Sequence, residues 1–116
     1  MSYTGTVENI STSNTTAAEV TIPSGSSNFT ITVYAVDSAE AFASATSGTA
    51  ALTVKAAGST QYETVFQSDG TTAVSIDLTA TSPSSITIEN SAARFFKATP
   101  TSLAAANKIR LAVTHD

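Results

Sequence analysis

Polar and apolar residues alternate with period two along most of this chain, and that regularity restricts it to folds made of strands buried on one face. Phe29, Ile31, Val33 and Ala35 share one face, opposite Thr30, Thr32 and Tyr34. Ala50, Leu52, Val54 and Ala56 repeat the pattern against Thr49, Thr53 and Lys55; Val74, Ile76 and Leu78 do so against Ser75, Asp77 and Thr79. Near the end, Ile109, Leu111 and Val113 alternate with Lys108, Arg110 and Thr114. Weaker alternation marks residues 3–8, 18–22, 62–66, 85–89 and 94–98, with turn residues between them at Pro23-Ser24-Gly25, Ala57-Gly58-Ser59, Ser68-Asp69-Gly70, Ser82-Pro83-Ser84 and Asn90-Ser91. Short strands at such spacing predict an all-β protein: a single-domain antiparallel β-sandwich over residues 1–116, Ig-like or jelly-roll-like, with about seven to nine strands.

Two stretches break the alternation. Asp37-Ser38-Ala39-Glu40 has the spacing of a capping box, and Pro100 followed by residues 101–106 suits a first helical turn, so each is read as a short helix or a loop. The polar run NISTSNTT, residues 9–16, is read as an arm or loop (9–17) joining a short first strand to the sandwich.

Composition then narrows the function classes. Ser, Thr and Ala fill half of the chain, and only 12% of residues are charged. Cys is absent, so disulfides, thiolate nucleophiles and Cys-based zinc sites are excluded. The net charge of -4 argues against a partner held by phosphate contacts, so no nucleic acid is expected. With no basic leader and no apolar run of spanning length, the expectation is a soluble protein without a signal peptide or membrane contact, whose three Asn-X-Ser/Thr sequons stay silent.

No constellation for chemistry emerges. His115 is the single histidine and lies beside Asp116 at the end of the chain, where a frayed segment would hold no catalytic base in place. The acids are spread singly, with Asp37, Glu40 and Asp69 read as turn and cap residues rather than calcium ligands. A non-enzymatic protein without cofactor or metal is therefore expected.

The remaining anomaly is Arg94-Phe95-Phe96-Lys97. Adjacent side chains of a strand point to opposite faces, so one ring enters the core and the other does not. The outer ring is either covered by a loop, such as 99–107 through Leu103, or forms an interface anchor beside two cations. Four of the five basic residues, Arg94, Lys97, Lys108 and Arg110, fall in the last quarter of the chain, and a hairpin of the last two strands would gather them into one patch. The expected partner contacts are Arg94, Phe96, Lys97, Lys108 and Arg110, with Tyr3 and the 9–16 segment as a second set.

The run from Leu52-Thr53-Val54-Lys55 through the Gly58-Ser59 turn, the aromatic strand 62–66, the strand 74–78, ARFFK and the closing NKIRLAVTHD resembles small all-β structural proteins of tailed-bacteriophage virions. That resemblance implies a capsid decoration or stabilising protein on the outer surface of the head, made in the host cytoplasm. Its partners would be the major capsid protein or neighbouring virion proteins, and it would act as a homo-oligomer, a trimer among the forms allowed. The alternative it implies is a tail or head-fibre module that binds a host receptor or glycan, with Tyr34 or Tyr62 as stacking platforms.

Overall fold

The computed structural model describes residues 5–89 and 91–116, and it is all-β. Nine strands form: β1 (Gly5–Ile10), β2 (Ala18–Thr21), β3 (Phe29–Val36), β4 (Thr49–Ala56), β5 (Glu63–Thr64), β6 (Ser75–Asp77), β7 (Ser85–Ile88), β8 (Ala93–Thr101) and β9 (Lys108–His115). Each corresponds to one of the alternating segments, because burial on a single face is what the alternation encodes. One sheet runs β1-β9-β3-β7; the other runs β2-β8-β4-β5, with β6 pairing with the first part of β4.

The pairing has a simple logic. β1 pairs with β9, β2 with β8, β3 with β7, and β4 with β5 and β6, all antiparallel. One long hairpin is thus rolled up so that successive strands lie in opposite sheets, except at its tip where β4, β5 and β6 share one sheet, and rolling creates the further contacts β3 to β9 and β4 to β8. This is the jelly-roll arrangement rather than the Ig-like one.

The core lies between the sheets. Ile109, Leu111 and Val113 of β9 and Ile31 and Val33 of β3 face Leu52 of β4 and Phe96 and Ala98 of β8, all buried. Phe29 and Phe96 meet edge to face across the gap, ring centroids 5.0 Å apart. Each such large side chain contributes about 1.5–3 kcal/mol by leaving water.

Neither of the two stretches read as a short helix or a loop is helical. Asp37 Oδ1 accepts from the amides of Ala39 and Ala41, and Glu40 takes a left-handed φ of 65°, so the chain reverses and Phe42 returns to bridge Val36. Pro100 continues β8; beyond Ala98 that strand has no β2 neighbour, so the missing N–H costs no bond there. The following segment instead drops Leu103 into the core over Gly48, where a Cβ would come within 2.8 Å of the Leu103 Cα.

The segment 11–17 is a pinned arch. Buried Ser11 exchanges bonds with Ile109, its N–H donating to the carbonyl at 2.9 Å and its Oγ accepting from the amide at 3.0 Å. Asn14 Nδ2 donates to the Leu103 carbonyl at 3.1 Å. The last two residues are equally held: Asp116 Oδ1 accepts from the amides of Ser27 and Asn28, and His115 is buried. A frayed end was expected there; register with Phe29 and Gly5 holds His115 in the sheet instead.

Candidate functional site

The outer face of the second sheet carries the aromatic and basic residues that the structure gathers. Strand β8 turns Phe96 and Ala98 inward and Phe95 and Lys97 outward. Strand register then sets their neighbours: Lys55 of β4 lies opposite Phe95, Thr53 opposite Lys97, and on the other side Glu19 of β2 lies opposite Lys97. The turn after β4, closed by the Ser59 amide on the Ala56 carbonyl, brings Tyr62 back over this face.

Tyr62 completes a ledge of two rings, two ammonium groups and a carboxylate. Lys97 Nζ sits 4.3 Å and Lys55 Nζ 4.9 Å from the Tyr62 ring centre, and Lys55 Nζ lies 4.8 Å from that of Phe95. The Tyr62 hydroxyl donates to Glu19 Oε1 at 3.1 Å. Burial first, and then that hydrogen bond and the charge of Glu19, push the Tyr62 hydroxyl above its ordinary pKa.

The expected contact residues are redistributed. Phe96 is fully buried, so it is not a surface contact; Phe95 is the outward ring, because the parity of β8 is set by the Phe29–Phe96 packing. It is Lys55 that lies over Phe95, bridging it to Tyr62, while Leu103 packs into the core. Arg94 is held at the sheet margin, its Nε donating to the Ile22 carbonyl at 2.6 Å and its own carbonyl accepting from the Ile22 amide at 2.7 Å. It falls at the irregularity where Ala56 pairs with Ala93, so one residue of β8 goes unopposed.

The four late cations do not form one patch. β8 and β9 belong to different sheets rather than to one hairpin, which puts Lys108 and Arg110 on the far side of the molecule from Lys97. There Arg110 pairs with Glu8 and lies 5.8 Å from the Tyr34 ring centre, and Tyr34 meets Phe42 edge to face at 5.6 Å. Beside them Glu8, Asn9, Ile10, Glu40 and Arg110 line a shallow concavity of about 340 Å³. Tyr3 lies outside the described residues.

Two partners of the ledge, Lys55 and Tyr62, carry no sequence signal that joins them to residue 95, since only the β4–β8 pairing makes them neighbours. Among the described residues no group of three or more His, Asp or Glu is placed to hold a metal ion. Ser26 approaches His115 Nδ1 at 3.1 Å, but its hydroxyl proton is directed to the Asp116 carbonyl at 2.6 Å. The same Nδ1 lies 3.1 Å from the Asp116 carbonyl oxygen, so both groups converge on that oxygen.

No family model, curated protein or solved structure matches this chain.

Proposed function

We propose that this chain is a non-enzymatic structural protein of a tailed-phage virion. In this reading it decorates the outer surface of the head, bound to the major capsid protein through the ledge of Phe95, Tyr62, Lys55 and Lys97. The ledge is the observation that carries the proposal. Aromatic rings beside cations are enriched where protein partners bind tightly, and charged side chains that lie flat on rings have already lost part of their freedom before binding. The jelly roll supports the reading by analogy only, being common in capsid domains and also in lectins. Many weak copies on one lattice would add up through avidity, which suits a homo-oligomer such as a trimer.

The test is co-sedimentation with emptied heads of the phage whose genome encodes the chain. Saturable binding at a fixed ratio to shell protein is expected, with the double variant Phe95→Ser, Lys97→Glu binding about tenfold or more weakly while remaining folded. Wild-type protein left in the supernatant would overturn the proposal, and undiminished binding by the double variant would remove the ledge from it.

A second reading, a fibre or head module that binds a host glycan, is favoured by one observation. Phe42 is 41% exposed and stands edge to face on Tyr34, whose ring lies near the Arg110 that pairs with Glu8. A glycan array with Phe42→Ser as its control would separate the readings, since a decoration protein retains nothing on it.

A further inference from the structure

We propose that the open side of the sandwich, between β7 and β6, receives an extended polypeptide segment whose side chains alternate between apolar and cationic.

The two sides of the jelly roll are finished differently. Where β1 and β2 meet, residues 11–17 span the sheets and Asn9 Nδ2 donates to the Glu19 carbonyl at 3.1 Å, tying one edge to the other. On the opposite side β7 ends its sheet and β6 is bound only to β4, with no backbone hydrogen bond between β6 and β7 among the described residues. A cleft of about 470 Å³ lies there, lined by Phe66, Val74, Ile76, Ile86, Thr87 and Asp77 among others. Phe66 is 50% exposed, a large ring left in water at a cleft whose lining mixes Val74, Ile76 and Ile86 with Gln67, Ser68, Ser75 and Ser84.

A free strand edge beside such a cleft has the requirements for strand addition: unpaired backbone groups along one line and a hollow for alternate side chains. β7 offers a short edge, alternate residues of which direct their backbone groups outward; half-buried Ile86 and exposed Thr87 both line the cleft, while Ser85 does not. An added strand would place every second side chain over Phe66 and Ile86 and the others along the exposed rim, on the side of Thr87 and Asp77.

Charge decides between occupants. The lining holds one carboxylate, Asp77, and no cation; Asp69 follows the lining residue Ser68, and Glu89 follows β7, both exposed. A second copy docked edge to edge across a two-fold axis would set these same carboxylates along a shared seam, an unfavourable arrangement. An incoming segment with lysine or arginine at alternate positions meets them with opposite sign. This surface lies on the side of the sandwich and owes nothing to the ledge on the second sheet.

The probe is a capped six-residue peptide of alternating lysine and valine, titrated into isotope-labelled full-length protein and followed by amide NMR shifts. A peptide with glutamate in place of lysine is the control. The expected result is shifts concentrated at residues 84–88, Phe66 and Ile76, no response to the glutamate peptide, and binding about tenfold weaker in Phe66→Ser with unchanged Tm. Lys97→Ala should bind as wild type does. The proposal is overturned by the absence of shifts at about 1 mM peptide, by shifts centred elsewhere, by equal response to both peptides, or by undiminished binding in Phe66→Ser. A dimer closed through β7 that excludes the peptide would likewise overturn it, and would assign the side to a second copy.

Discussion

Phe95 and Phe96 are one peptide bond apart, yet the two faces of β8 on which they lie hold their rings by different physics. Inside, Phe96 meets Phe29 at 5.0 Å and has no exposed surface, so its position is over-determined by two sheets at crystal-like density. Outside, Phe95 is half-buried under the Lys55 ammonium, beside Tyr62, in contacts that flexible side chains make and release. The inner face therefore sets stability and leaves nothing for a partner. The outer face adds little to stability and keeps its rings and cations in a form that another surface can use.

That contrast is open to direct attack. Phe96→Ala should cost about 3–5 kcal/mol in denaturant unfolding, since it removes the ring and leaves a cavity that both sheets must close. A loss below that of Phe95→Ala would break the comparison. Gly48→Ala tests whether the tight interior extends to the end of the sandwich: with φ at 125° and Leu103 in the way, about 1–3 kcal/mol should be lost, measured in the same way. Phe95→Ala should cost about 1 kcal/mol or less, the scale of an exposed cation–ring contact and partial burial. If it matches Phe96→Ala, the outer ring is a second core and the ledge loses its claim to partners.

The smallest effects are titrations. The raised Tyr62 pKa means that the folded state holds this proton more tightly than the unfolded one. Its stabilisation is present below the ordinary value near 10 and is lost as pH rises through the higher folded value. Ultraviolet titration should show a phenolate component appearing late, and Tyr62→Phe should remove it. Asp69 behaves with the opposite sign: bonds from Thr72 and Thr71 hold its carboxyl down to about 2, so its turn is supported above pH 3.8 and loosens as pH falls toward about 2. The Thr72 amide shift should follow that midpoint, and a midpoint at the ordinary carboxylate value would show that the turn is not formed in solution.

The strands were legible because alternation is a local signal that survives in any antiparallel sheet. Residues 108–115 could be assigned an inner and an outer face without knowing their neighbours. The two stretches read as possible helices were not legible, because their outcome depends on distant contacts. Asn107 Nδ2 donates to the carbonyls of Val36 and Ala43, anchoring the 37–43 turn from far along the chain, and Leu103 is drawn to Gly48 by the core. Short segments without packing have no helix to defend.

The candidate contacts divide along the same line. That one of two neighbouring rings must leave the core followed from sequence, since side chains alternate across a strand whatever the fold. Which ring it is, and that Lys55 covers it beside a Tyr62–Glu19–Lys97 group while Lys108 and Arg110 lie on the other sheet, was decided only by the rolling of the long hairpin. The sequence by itself determined the class of fold, the approximate strands and the absence of cysteine chemistry. Tertiary structure decided register, the partners of each outward side chain and the open edge at β7, because pairings between residues far apart in the chain carry no local periodicity and are selected by the packing of the whole core.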